Sequence, residues 1–179
     1  MRTVIGIDPS SKKLALCVSE DGYDSELHTI SLPAGLYSAT GAAYREVFSF
    51  LDFGGDPVIY MEAPLVGVGG VHSTVVQAQV GGAVMAAASN FGVPLKLVNV
   101  GHWKKTVLGK GNAKKPEVAE WVEKNCPEAY HLAEGDQDLI DAIAIHRYGV
   151  LHERLLARKI RARKTEKAAA QERAGKRRS

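Results

Sequence analysis

With 179 residues, 45% of them hydrophobic and 24% charged, the chain is long enough for one packed domain plus a tail, since a domain near 150 residues hides roughly 70% of its unfolded surface. No apolar run approaches the ~20 residues of a membrane span, and no basic-then-apolar leader opens the chain, which points away from membrane and secreted proteins and toward the cytoplasm. The formal charge of +3 conceals a division: residues 1–150 carry 12 Lys or Arg against 17 acids, and residues 151–179 carry 11 against 3. An acidic body therefore joins a basic tail, and such a tail suits a polyanionic partner. Cys17 and Cys126 lack zinc-site or CxxC spacing and read as reduced, structural thiols.

Residues 3–8 and 14–19 read as strands joined by a turn at Pro9-Ser10-Ser11-Lys12-Lys13. Asp21-Gly22 marks a hairpin-like turn before a third strand at 25–31. Pro33 to Gly35 breaks the pattern, and residues 40–52 fit an amphipathic helix with Ala43, Val47, Phe50 and Leu51 on one face. After the loop Gly54-Gly55-Asp56-Pro57, residues 58–62 form a buried strand. Pro64 to Gly70 is a loop leading into a helix at about 72–90, whose small residues allow close approach to the sheet or to another helix. A short strand at 94–98 precedes helices at 102–108 and 115–125, with Pro116 tolerated in a first turn. A last core helix starts near Asp136 and runs beyond 150, and residues 157–179 read as frayed helix or disorder. The sum is an α/β domain over 1–152 with a mixed sheet flanked by helices, and a basic tail over 153–179.

Four acids break this apolar pattern. Asp8 ends the run Thr3-Val4-Ile5-Gly6-Ile7, and Glu62 ends Val58-Ile59-Tyr60-Met61. Open α/β sheets place ligands outside the carboxyl ends of their strands. Asp138 and Asp141 stand three apart at a helix start, on one face. Clustered carboxylates repel unless a cation neutralises them, and hard oxygen donors suit Mg²⁺ or Mn²⁺. Asp136 or Glu134 could take the place of Asp138, although Asp136 reads first as a helix N-cap.

Lys104, Lys105, Lys110, Lys114 and Lys115 cluster around a glycine turn with Asn112. Gly109 and Gly111 would let backbone approach a phosphate, and the next helix start favours anions. Trp103 reads as core rather than as a base-stacking platform; His72 and His102 are candidate acid–base groups, although His102, before Trp103 at a helix start, reads first as a loop contact or DNA neighbour.

Gly6-Ile7-Asp8-Pro9, the strand-ending Glu62, the segment Trp103-Lys104-Lys105 to Gly109-Lys110-Gly111-Asn112-Ala113-Lys114-Lys115, and Asp138-Leu139-Ile140-Asp141-Ala142 together resemble the RuvC family of Holliday-junction resolvases. The likeness spans about residues 3–150, in order and spacing, and the chain's divergence with its basic tail looks like a phage or prophage version. It implies a ribonuclease-H-like fold, a homodimer, paired incisions in four-way DNA junctions, and metal ligation by Asp8, Glu62, Asp138 and Asp141. Two Mg²⁺ per site, with Mn²⁺ as a substitute, would activate water and neutralise the departing 3′-oxygen, leaving 5′-phosphate and 3′-hydroxyl ends. Asp8 would be shared by both ions. DNA contacts fall to Lys104, Lys105, Lys110, Asn112, Lys114 and Lys115, and to Leu65, which stands where the family carries an aromatic wedge.

The chain departs from the family at Ser10 in place of Gly, at Ala63-Pro64 in place of Gln, and at Gln77-Ala78-Gln79-Val80-Gly81, which lacks the family's Arg. These departures bear on junction opening and sequence preference. They keep open a broader nuclease for forks and flaps, and a non-catalytic DNA-binding protein on the same scaffold. A sugar-kinase-like or actin-like ATPase also begins with a Gly-x-Asp strand, but needs a second phosphate-binding domain that 179 residues hardly allow.

Overall fold

The computed structural model describes residues 2–20, 25–51, 56–64 and 70–176, without the side chains of 168–176. Five strands, β1 (Thr3–Pro9), β2 (Lys13–Ser19), β3 (Glu26–Ser31), β4 (Pro57–Glu62) and β5 (Leu95–Val98), form one sheet in the order β3-β2-β1-β4-β5. The β1–β2 and β2–β3 pairs are antiparallel, and β1–β4 and β4–β5 are parallel, so the sheet is mixed as the early hairpin implies. Six helices complete the described fold: α1 (Leu36–Leu51), α2 (Gly70–Asn90), α3 (Val100–Leu108), α4 (Lys115–Asn125), α5 (Pro127–Leu132) and α6 (Gln137–Lys176).

Strand side chains alternate between faces, and here each face has its own core. Ile5, Ile7, Leu14, Leu16, Ile59 and Met61 pack under α1 and α2. Val4, Ala15, Cys17, Val58 and Tyr60 pack under α3, α4 and α6. Both faces of β1 and β4 are thus dry, which explains why they read as continuous apolar runs.

Helix α6 lies against β1 and β4 through two close approaches. A methyl group at Gly6 would stand 2.5 Å from the His146 backbone nitrogen and 2.6 Å from the Ala142 carbonyl oxygen. One at Gly149 would stand 2.6 Å from Tyr60 Cδ2 and 2.8 Å from Val4 Cγ1. One glycine on the strand and one on the helix therefore set the distance between them. Further along, the Tyr60 hydroxyl donates to Glu153 Oε1 (2.6 Å) and meets His152 Nδ1 (2.7 Å), while Lys96 Nζ donates to Glu153 Oε1 (2.6 Å). This part-buried polar cluster fixes α6 where it crosses β4 and β5.

Helices α1, α2 and α3 begin two to four residues earlier than the sequence pattern indicates, whereas α4 spans Lys115–Asn125 as expected. Helix α1 starts at Leu36 because Gly35 takes a left-handed backbone (φ 92) and its carbonyl accepts from Ala39 N at 2.9 Å. Helix α3 starts at Val100 because the Asn99 side chain caps it, accepting from Gly101 N at 2.9 Å. Helix α5 has no counterpart in the sequence reading, since six residues are too few to display a 3.6 period. The tail is helical through Lys176, in keeping with its Ala, Arg, Lys, Gln and Glu content. The turn at Asp21-Gly22, the loop at Gly54-Gly55 and Leu65 lie outside the described residues.

His146 is fully buried on α6, with Nε2 3.3 Å from Ser19 Oγ and Nδ1 without a hydrogen-bond partner. Burial first, and the nearby Arg147 charge second, push its pKa from 6.5 to about 4. The folded protein keeps the ring neutral where the unfolded chain would take up a proton. The resulting stability is whole above pH 6.5 and is lost as pH falls from 6.5 through about 4, to a total of ~3 kcal/mol. His146→Gln is expected to flatten that part of the stability profile in urea titrations between pH 4 and 7. An unchanged profile would assign the acid sensitivity elsewhere.

Candidate active site

The β1–β4 register builds the site. Ile7 pairs with Met61, so Asp8 and Glu62 come next on adjacent parallel strands, at their carboxyl ends. The period of two puts Asp8 on the face of Val4 and Gly6, and Glu62 on the face of Val58 and Tyr60. That face is covered by α6, whose first two turns carry Asp138 and Asp141. The structure thus brings together the four acids that the sequence singles out, and the close approach at Gly6 holds α6 near enough to do so.

The electrostatics reflect this crowding. Burial raises Asp8 well above the usual carboxylate range, and the charges of Glu62, Asp141 and Asp138 raise it further, against partial relief from Lys115. Burial also raises Glu62 and Asp141. A hydrogen bond from Trp103 and the Lys104 charge temper the rise at Glu62, and Gln137, Lys104 and Lys115 temper it at Asp141. Such a cluster is under tension that a bound cation would relieve.

Three of the acids are held by neutral or cationic donors. Trp103 Nε1 donates to Glu62 Oε2 at 2.7 Å, and Gln137 Nε2 donates to Asp141 Oδ1 at 3.1 Å. Lys13 Nζ lies 3.3 Å from Asp138 Oδ2 and donates to both oxygens of Asp136, at 2.7 and 2.6 Å. Asp136 Oδ1 also accepts from Asp138 N (3.0 Å) and Leu139 N (3.4 Å). Asp136 therefore caps α6 and ties it to β2. Glu134 is exposed in the preceding turn, with a left-handed backbone (φ 47).

Lys13 and the indole of Trp103 are site residues that no pattern in the sequence marks. Lys13 meets Asp136 across 123 positions of chain, and no local spacing reports that. Trp103 is core, as its sequence suggests, yet its one polar atom faces the site. Ser10, where the resemblance leads one to expect Gly, caps the β1–β2 turn: its hydroxyl accepts from Lys13 N (3.1 Å) and donates to Lys13 O (2.9 Å). Serine at this position thereby helps to place Lys13.

Lys104, near the middle of α3, and Lys115, at the start of α4, flank the acids. Lys104 Nζ donates to the Ala113 carbonyl at 3.0 Å. Lys110 pairs with Glu117, whose Oε2 also accepts from Lys114 N at 2.8 Å. Lys105, Asn112 and Lys114 are exposed around the same turn. Its glycines have structural duties: Gly109 is the left-handed C-cap of α3 (φ 79), and a methyl group at Gly111 would stand 2.9 Å from the Gly101 carbonyl. His72 and His102 are exposed.

Among the described residues, no group of three or more His, Cys, Asp or Glu side chains stands close enough together to hold a metal ion as placed. The donor chemistry nevertheless fits hard divalent ions: Asp8 and Glu62 end adjacent strands, Asp138 and Asp141 open α6, and the charges of the other three all act on Asp8. Among the described residues, no helix is long and apolar enough to cross a membrane.

No protein-family model and no curated protein sequence matches the chain. Solved structures do. Thermus thermophilus RuvC matches at a TM-score of 0.66 with 23% identity, over 86% of this chain and 96% of that one. The T. thermophilus RuvC structure in complex with a Holliday junction substrate matches at 0.66 and 22%, over 87% and 96%. The yeast mitochondrial Holliday junction resolvase Ydc2 matches at 0.50 and 16%, over 88% and 83%. The chain therefore has the ribonuclease-H-like α/β fold of RuvC, a mixed five-stranded sheet flanked by helices.

Proposed function

We propose that the protein is a divalent-metal-dependent endonuclease that resolves four-way DNA junctions by paired nicks, acting as a homodimer. The observation that carries this reading is the assembly of Asp8, Glu62, Asp138 and Asp141 at one sheet end with Lys104 and Lys115 beside them. The likeness to T. thermophilus RuvC, itself solved with a junction, supports a branched-DNA substrate over other phosphodiesters.

Asp8, Glu62, Asp138 and Asp141 would together hold two Mg²⁺ ions, with Asp8 as the ligand common to both. Such ions would supply activation of a water nucleophile and charge neutralisation at the departing 3′-oxygen. The protein's own part is positional and electrostatic. Lys104 and Lys115 bring positive charge to the place where the scissile phosphate must sit. Lys105, Lys110, Asn112 and Lys114 would touch the backbone of the same arm, fixing register without reading sequence. A junction has two strands to cut, and one site per strand calls for a second copy of the chain. The α1–α2 face supports such a pairing: Tyr37, Val71, Val75 and Met85 are exposed on it, beside a groove of about 730 Å³.

The basic tail would extend the DNA-binding surface. Residues 157–176 prolong α6 by about 30 Å, close to one turn of duplex, and Arg158, Lys159, Arg161, Arg163, Lys164 and Lys167 are exposed. Removing 157–179 deletes 10 basic residues and 2 acids. The truncated protein is expected to bind junctions more weakly, with a salt slope shallower by ~0.9 for each phosphate that the tail neutralises, and to cut bound junctions at the same rate. Filter-binding titrations from roughly 50 to 200 mM salt measure this; an unchanged slope would take the tail off the DNA.

The reading is tested with an immobile four-way junction, a replication fork and a linear duplex as rival substrates. Selective cutting of the junction supports a resolvase. Equal cutting of the fork would make the protein a broad branched-DNA nuclease, and binding without cutting under Mg²⁺ and Mn²⁺ would make it a non-catalytic binder.

A further inference from the structure

We infer that Trp103 is a positioning residue for Glu62: its indole N–H engages one carboxylate oxygen, Oε2, and so leaves Oε1 as the single oxygen that Glu62 offers to a divalent ion. This rests on the metal-site reading above and specifies how one of its ligands is aimed.

The geometry is direct. Trp103 Nε1 stands 2.7 Å from Glu62 Oε2, and Trp103 is wholly buried. A buried indole N–H left unpaired would be costly, so the ring needs an acceptor wherever it packs. Here that acceptor is one of the four clustered acids. The bond therefore serves both partners. The carboxylate at the end of β4 gains a fixed rotation, and the indole gains its acceptor.

The donor is anchored independently of the acid. Helix α3 is capped at its start by Asn99, whose side chain accepts from Gly101 N at 2.9 Å. At its end Gly109 N donates to the Lys105 carbonyl at 3.0 Å. Gly111 packs against the Gly101 carbonyl and admits no larger residue without movement. The acceptor is anchored too, since Ala63 N, one residue beyond Glu62, donates to the Val98 carbonyl at 2.9 Å. Two rigid elements thus set the angle at which Glu62 faces Asp8. The same helix brings the neighbouring Lys104 charge to Glu62 and Asp141. One short helix therefore both aims a ligand and supplies a countercharge.

Partners that orient a metal ligand typically change metal affinity about 10–100-fold when removed. Trp103→Phe removes the N–H and keeps most of the buried ring. Its Mn²⁺ affinity, measured by calorimetry without DNA, is expected to fall about tenfold. Junction binding in EDTA should not change, and cleavage should recover toward the wild-type rate as Mn²⁺ is raised to saturation. A protein merely loosened by the substitution would not show that recovery.

A second measurement does not depend on the folding of Trp103→Phe. The chain has two tryptophans, Trp103 and Trp121, so its ¹H–¹⁵N spectrum carries two indole signals. In Glu62→Gln the Trp103 signal should move upfield, because its acceptor has no charge, while the Trp121 signal stays. Addition of Mg²⁺ to the wild type should shift the Trp103 signal as well. Equal Mn²⁺ affinity in wild type and Trp103→Phe, or an unmoved Trp103 signal in Glu62→Gln, overturns the proposal. If the wild type itself binds neither ion, the metal-site reading fails and takes the proposal with it.

Discussion

Asp8→Asn is expected to lower junction cleavage by about 10³-fold or more, to leave junction binding intact, and to raise the melting temperature of the metal-free protein. The first two outcomes follow from the place of Asp8, buried at the centre of the acid cluster, while the DNA contacts fall to lysines that the substitution leaves in place. The third follows from repulsion. Burial and three neighbouring carboxylates oppose the charge on Asp8, so a neutral side chain of the same shape relieves the folded state. In a chain of this size each kcal/mol recovered is worth about 2–4 °C. Mg²⁺ should then raise the melting temperature of the wild type more than that of the variant, since an ion that binds only the folded state stabilises it by mass action. Differential scanning fluorimetry with Mg²⁺ or EDTA, beside a cleavage assay, reads all of this. Full activity in Asp8→Asn would end the mechanism, and a lowered melting temperature would show that Asp8 supports the fold instead of straining it.

Gly6→Ala is the second large effect. The added methyl would meet the α6 backbone at 2.5–2.7 Å. Backbone cannot rotate away as a side chain can, so either β1 or α6 must shift. Overpacking of this kind costs about 1–3 kcal/mol. The displacement falls between Asp8 and the Asp138–Asp141 face, so cleavage should drop more than the destabilisation alone requires. Urea unfolding together with single-turnover cleavage at saturating Mg²⁺ separates the two effects. Wild-type values in both would show that the site does not depend on this close approach.

The acids stand out in the sequence for a physical reason. An apolar strand that ends in Asp or Glu is conspicuous, and i,i+3 spacing defines a helix face without any structure. The hairpin turn likewise announces a mixed sheet. What stays hidden is how distant segments meet across the fold. A period of two says that Gly6 and Asp8 share a face, but not that α6 covers it, nor that Gly6 is there to admit Ala142 and His146. The reach of Lys13 to Asp136 and Asp138 depends on β2 starting beside the α6 N-terminus, which no local spacing encodes. Trp103 is legible as core from its apolar bulk, yet its hydrogen bond to Glu62 depends on the relative angle of α3 and β4. Gly109 and Gly111 invite a phosphate-binding reading, and the structure gives them duties in capping and packing first.

The decisive measurement incubates the wild-type protein with an end-labelled immobile four-way junction in Mg²⁺ and in EDTA, and maps the cuts on all four strands. A two-metal resolvase leaves paired nicks at symmetric positions on two opposed strands, in Mg²⁺ only, giving nicked duplexes that a ligase seals without further treatment. No cleavage in Mg²⁺ or Mn²⁺, or equal cleavage in EDTA, would contradict that mechanism.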